Sequence, residues 1–193
     1  MIAIDGNIGC GKSTIIKLLS YNYKVFPEDI ASWGDWLSKY YEEPKQYSLG
    51  FQLTVLLSHL RQQTKQFTEI TFYERCSHTC NRIFGSLLVD DGIMKPEELE
   101  LCVSYERQFN KKVEHLFYLR TSPKICKERM ILRDRCCESS IDISYLEKLH
   151  NKYESVYNCG SNIVDGINIH IIDANKTPEE IFDEINYITE MLL

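Results

Sequence analysis

The stretch IAIDGNIGCGKST, residues 2–14, constrains this chain more than any other. Gly6, Asn7, Ile8, Gly9, Cys10, Gly11, Lys12 and Ser13 match the pattern GxxxxGK[ST] position for position, with Thr14 directly after. The pattern requires an apolar strand entering the turn and a helix leaving it. Glycines let backbone N–H groups turn inward around phosphate oxygens, and the helix points its positive end at the same place. Lys12 is placed to reach the β- and γ-phosphates and Ser13 to touch Mg²⁺. A nucleoside triphosphate is the expected ligand, bound by all nine residues from Gly6 to Thr14.

Patterning along the rest of the chain agrees. Strands are expected over 2–4, 23–26, 70–73, 115–119 and 167–172, where short apolar runs end at polar or proline residues. Helices are expected over 13–19, 32–41, 48–67, 78–89, 96–109, 121–134, 144–157 and from 177 to the end, with Pro44 as a breaker. Strands alternating with helices predict an α/β fold, a five-stranded parallel sheet covered on both faces. The 193 residues suit one domain, 1–193.

The formal net charge of −6 argues against a nucleic-acid partner, which needs a basic surface. No apolar run reaches the roughly 18 residues of a membrane span. With a strand beginning at Ile2 and no leader pattern, a cytoplasmic enzyme is expected. The eight cysteines include no CxxC and are expected to be free thiols. Cys76 and Cys80, with His78 between them, lack a second ligand pair and are expected to be helix residues rather than a zinc site.

In open parallel sheets, ligands sit beyond the carboxyl ends of the strands. Glu28 follows the second expected strand, and Glu74 and Arg75 follow the third. A carboxylate beside the phosphates can serve as base or metal ligand, and an arginine can orient the acceptor. Arg129, Arg133 and Arg135 form a dense basic cluster in an acidic chain. They predict a lid over about 129–140 that brings guanidinium groups to the transferring phosphoryl group. Gln52, Val55 and His59 share one helix face, and the amide of Gln52 can pair with the edge of a base. A phosphate loop alone does not choose between switch GTPases, ATPases and small-molecule kinases. The guanine reader Asn-Lys-x-Asp is missing, its nearest match being Asn175-Lys176-Thr177-Pro178.

Taken together, these residues resemble the deoxyribonucleoside kinases of the deoxycytidine, deoxyguanosine and mitochondrial thymidine kinase type. The motifs that carry the likeness are GNIGCGKST, the segment 28–33, Tyr41 with EEP, Phe51-Gln52, Glu74-Arg75, LRDRCCE and YLEKLHNKYE. The resemblance implies a P-loop kinase fold using ATP and Mg²⁺. It implies that Glu28 takes the proton of a sugar 5′-hydroxyl, that Arg75 holds that hydroxyl and Glu28, and that Ser13 and Glu74 hold Mg²⁺. It further implies that Tyr41 and Glu138 bind the 3′-hydroxyl, that Gln52 pairs with the base, and that Trp33 and Phe84 pack against it. Arg133 is implied beside the adenine of ATP, and Arg129 and Arg135 on its phosphates. A homodimer through helices between His78 and Phe109 is implied as well.

This chain departs from the family pattern at Asp29, where proline is usual, and at Cys76, where serine is usual. Cys136 and Cys137 stand where the lid often carries asparagine or an acid. Relatives that prefer deoxycytidine or purines tend to carry Arg and Asp at the positions of His59 and Cys80. The neutral, compact pair here leaves room for a 5-methyl group, which favours thymidine, with deoxycytidine as the next candidate. Two other readings share the loop: a thymidylate kinase and a non-catalytic nucleotide-binding switch. Glu28 opposes the first, because a phosphorylated acceptor needs positive charge at that spot.

Overall fold

A computed structural model describes residues 1–65, 67–109, 113–134 and 141–192. They form two compact units, the first from residues 1–27, 68–74 and 113–193 and the second from 28–67 and 75–112. In chain order the elements are β1 (Ile2–Gly6), α1 (Lys12–Leu19), β2 (Lys24–Phe26), a 3-10 turn (Ile30–Trp33), α2 (Trp36–Glu42), α3 (Pro44–Gln63) and β3 (Thr71–Glu74). Then come α4 (Ser77–Thr79), a π-helical stretch (Cys80–Gly85), α5 (Ser86–Asp90), α6 (Pro96–Gln108), β4 (His115–Arg120), α7 (Pro123–Arg133) and α8 (Ile143–Tyr157). β5 (Ile163–Val164), β6 (Ile167–Asp173) and α9 (Pro178–Glu190) complete the described chain.

The first unit is a sheet of strand order β2-β3-β1-β4-β6-β5, flanked by helices. All five expected strands are present and parallel to one another, with Ile2 paired to Phe72 on one side and to His115 on the other. The expectation of five strands needs one correction. A sixth, β5, pairs antiparallel with β6 through Ile163↔Asn168 and Val164↔Ile167. It is two residues long with a tight reversal at Asp165 and Gly166, too short to leave an alternating pattern in the sequence. β1 lies at the centre with all five residues buried, as a strand covered on both faces must be. α8 buries Leu146, Leu149, Tyr153 and Tyr157, one stripe of a 3.6-residue period, and the ring of Tyr153 stacks on Tyr118 at 5.2 Å. Thr177 and Glu180 form a capping box that starts α9.

The second unit is helical. Pro44 does not separate two helices by breaking one; it opens α3 at a first-turn position, where its missing N–H costs nothing. α3 therefore starts four residues earlier than expected and ends at Gln63. Trp33, Val55, Leu56, Leu60, Cys80 and Cys102 form its apolar core. A Cβ on Gly50 would stand 2.3 Å from the Trp36 ring, so glycine is what lets that indole lie across α3. The expected helix 78–89 is present, interrupted by the wider π turn of Cys80–Gly85. Among the described residues no helix is long and apolar enough to cross a membrane.

Candidate active site

In the first unit the loop between β1 and α1 carries the residues expected to bind phosphate. Gly9 sits at φ 78°, and a Cβ there would stand 2.4 Å from the Cys126 carbonyl oxygen and 2.8 Å from Met130 Cγ. Both the left-handed backbone and the close approach of α7 therefore require glycine. The Lys12 ammonium folds back on the loop and donates to the Asn7 carbonyl at 2.8 Å and the Gly6 carbonyl at 3.3 Å. Asn7 Oδ1 accepts from the Ile8 N–H, and its Nδ2 donates to the Leu146 carbonyl, which ties the loop to α8. Asp5, buried in β1, accepts from the Gly6 N–H at 2.7 Å and from the Tyr153 hydroxyl at 2.8 Å. A carboxylate inside the apolar run IAIDG was the one signal for Asp5, and sequence reasoning passed over it.

Ser13 Oγ donates to Glu74 Oε1 at 2.6 Å, and Glu74 is buried at the carboxyl end of β3. A hydroxyl and a carboxylate side by side are hard oxygen donors of the kind that suits Mg²⁺, so the expected metal pair fits its ion. Arg129 reaches the same loop. Its guanidinium donates to the Cys10 and Ala174 carbonyls at 3.0 Å each and to the Lys176 carbonyl at 3.4 Å. Arg133, one turn later on α7, is exposed. Arg135 and Glu138, with Cys136 and Cys137, lie outside the described residues, and with them half of the expected lid.

In the second unit, Glu28 Oε1 is 3.1 Å from Arg75 Nε and 4.0 Å from His59 Nε2, with only 12% of the carboxylate side chain exposed. Arg75 lies with its guanidinium carbon 4.7 Å above the centre of the Phe84 ring, a cation–π contact. A buried carboxylate held by a guanidinium is oriented as well as charged. The Gln52 amide Nε2 donates to the Cys80 carbonyl, and Gln52 also lies against Gly85. Burial pushes the Cys80 thiol well up from its ordinary value, and the neighbouring Cys102, Glu106, Cys76 and Glu28 add to it, so that wall stays neutral. The indole of Trp33 donates to Ser58 Oγ at 3.1 Å and meets Phe51 edge-on, which fixes its plane. Val55 belongs to the same apolar cluster. Tyr41 packs beside Tyr40 at 5.5 Å between ring centres. Thus Glu28, His59, Arg75 and Phe84 are brought together, and so are Gln52 and Cys80. Ser58, which holds Trp33, carried no signal beyond its place on α3.

Three comparisons bear on this arrangement. The family model for deoxynucleoside kinase matches residues 2–191. Protein 143R of Invertebrate iridescent virus 6 is 32% identical over 196 residues, covering 100% of this chain and 98% of its own length. Deoxycytidine kinase 2 of Gallus gallus is 31% identical over 80% of this chain and 72% of its own. Human deoxycytidine kinase is also 31% identical, over 80% of this chain and 74% of its own. Among solved structures, a deoxyadenosine kinase from M. mycoides superposes with a TM-score of 0.85 at 22% identity, covering 100% of this chain and 99% of that one, and so supports the fold. With a family model spanning nearly its whole length and relatives above 30% identity, the chain belongs to the deoxynucleoside kinase family and is a nucleoside-phosphorylating enzyme.

Proposed function

We propose that this kinase transfers the γ-phosphoryl group of ATP to the 5′-hydroxyl of a pyrimidine deoxynucleoside, with thymidine favoured. The observation that carries the reading is the buried Glu28–Arg75 pair, a fixed carboxylate with a hydrogen-bonded guanidinium directly after β2. Glu28 accepts the 5′-hydroxyl proton, and Arg75 holds the carboxylate in place. Lys12 and the loop N–H groups hold the β- and γ-phosphates, with Arg129 alongside. Ser13 and Glu74 hold Mg²⁺, which supplies charge neutralisation on the phosphates when bound. Little covalent chemistry falls to the protein, so positioning and electrostatics do most of the work. Arg133 and Arg135 contribute from the lid, and Tyr41 with Glu138 holds the 3′-hydroxyl. Trp33 and Phe84 flank the base.

The thymidine preference rests on Gln52, His59 and Cys80. One amide can meet both N3–H and O4 of thymine, and the neutral Cys80 thiol offers no acid to an amino group. A second reading, deoxycytidine, is favoured by the chicken and human relatives, which are named deoxycytidine kinases. Turned over, the Gln52 amide serves cytosine as well, but gives up its Nε2 bond to the Cys80 carbonyl. The reading includes a cytoplasmic homodimer formed through the helices between residues 78 and 109.

An ATP-consumption assay on the purified protein tests this, with thymidine, deoxycytidine, deoxyadenosine, deoxyguanosine and thymidine monophosphate as acceptors. The expected result is highest kcat/KM on thymidine and no turnover of the monophosphate. A deoxycytidine maximum selects the second reading. Turnover of the monophosphate alone removes Glu28 as base.

A further inference from the structure

Arg75 has φ 66°, in the left-handed region that an arginine does not seek for itself. Something around it must hold the turn, and the turn decides where its guanidinium goes. Cys76, next in the chain, is extended at φ −152° and ψ 167° and is the N-cap of α4, yet its side chain makes no capping bond. Its sulfur instead stands 3.4 Å from Thr79 Oγ1. The first N–H of α4, that of Ser77, is one of the donors that a helix cannot satisfy internally. It donates to Gln63 Oε1 at 3.3 Å. Gln63 is the last residue of α3 and is 1% exposed. Its Nε2 is buried without an acceptor among the described residues. An apolar residue of the same volume would remove that unsatisfied donor but leave the buried Ser77 N–H unpaired in its place, so what the glutamine adds is the pairing at the start of α4.

We propose that Gln63 is a positioning residue for Arg75. It caps α4 from a different helix, in place of the cap that Cys76 does not provide, and so holds the left-handed turn that aims the guanidinium at Glu28. The inference rests on the reading of Glu28 and Arg75 as the site of proton transfer. Without the Gln63 acceptor, the buried Ser77 N–H is left unpaired and the turn from Arg75 to Ser77 loosens. The 3.1 Å contact between Arg75 and Glu28 loses its alignment.

Steady-state kinetics on Gln63→Met, Arg75→Ala and the double variant test this, with Mg-ATP and the preferred nucleoside. Methionine keeps the volume and removes the acceptor. A misplacement of about 1 Å at a reacting group can cost ~10²-fold, so a roughly tenfold fall in kcat is expected for Gln63→Met. The KM for ATP should not move. In the Arg75→Ala background, Gln63→Met should cost nothing further, because Gln63 acts through Arg75. An unchanged kcat in Gln63→Met, or losses that add in the double variant, overturns the inference. Wild-type turnover in Arg75→Ala instead fails the underlying reading, whatever Gln63→Met does. If Gln63→Met does not fold, Ser77→Pro runs the same cycle. It deletes the donor at a first helical position, where proline is tolerated, behind a residue that is already extended. The same fall in kcat, absent from the Arg75→Ala background, is expected of it; an unchanged kcat overturns the inference.

Discussion

Glu28 is the residue on which the proposed chemistry turns. Only 12% of its side chain is exposed, its carboxylate oxygen is held at 3.1 Å by Arg75 Nε, and His59 Nε2 stands 4.0 Å from the same oxygen. Glu28→Gln keeps the shape and most of the hydrogen bonding but cannot accept a proton. General-base catalysis contributes typically ~10²–10⁴-fold, and kcat should fall by that order. ATP affinity, measured by titration in the absence of nucleoside, should stay within a few-fold, since the proposed nucleotide site is the Gly6–Thr14 loop. A near-wild-type kcat would take the base role away from Glu28. The strand-end position of Glu28 was legible in the sequence because the chain spells out where β2 stops, at Phe26 and Pro27. Its partners were not all legible. Arg75 could be named from its place after β3, but its positive φ leaves no mark in the sequence, since arginine is not a residue that advertises a left-handed turn. Gln63 was invisible for a related reason: a cap supplied by a different helix depends on tertiary contact, not on spacing.

At the scale of elements, periodicity served well where one face is buried and poorly where packing overrides it. The five parallel strands and α8 follow their apolar patterns. The π-helical Cys80–Gly85 stretch does not, because a helix widened by one residue per turn keeps the composition of an ordinary helix. It puts the Cys80 carbonyl under the Gln52 amide, so this unread feature shapes the proposed base pocket. α6 raises the element-scale prediction. Among its thirteen residues only Cys102 is fully buried, and Leu101 and Tyr105, one turn apart, are 49% and 37% exposed. That face fits the proposed homodimer through the helices between residues 78 and 109. The mass in solution, read by light scattering, should be twice that of the chain, and Leu101→Glu with Tyr105→Glu should return it to monomer. A monomeric wild type would sink the proposed assembly, and a dimeric double variant would place its interface elsewhere.

The molecule divides its motif between two compact units, and the chain passes from one to the other at Pro27–Glu28 and again at Glu74–Arg75. The proposed phosphate loop and proposed Mg²⁺ donors belong to the first unit, and the proposed base and nucleoside residues to the second. The stability of the sheet-bearing unit should carry its own pH signature. His115 on β4 and His170 on β6 face each other, with Nδ1 and Nε2 at 3.1 Å, and His170 stacks on Phe117 at 4.8 Å. Burial lowers both imidazoles from the ordinary 6.5, and each further opposes a charge on its neighbourhood, His115 on His170 and the N-terminal ammonium on His115. Glu114, bonded at 2.7 Å to that ammonium, pulls His115 partly back. Because the folded values lie below the unfolded ones, the unfolded chain binds more protons as pH falls through 6.5. The stabilisation is therefore complete above 6.5 and is lost as pH drops through the lowered folded values. Glu114, Glu154 and Asp173 are also lowered, each by hydrogen bonds and charge contacts in the fold, and they give the same sign in a second, more acidic window beginning near their ordinary values of 4.5, 4.5 and 3.8. Urea midpoints measured from pH 8 to about 2 should fall in two steps. His170→Phe keeps a ring against Phe117 and removes one of the two titrating imidazoles, so its upper step should be shallower while the lower step is unchanged. An upper step of the same depth in that variant would mean that this histidine pair does not set the near-neutral pH dependence.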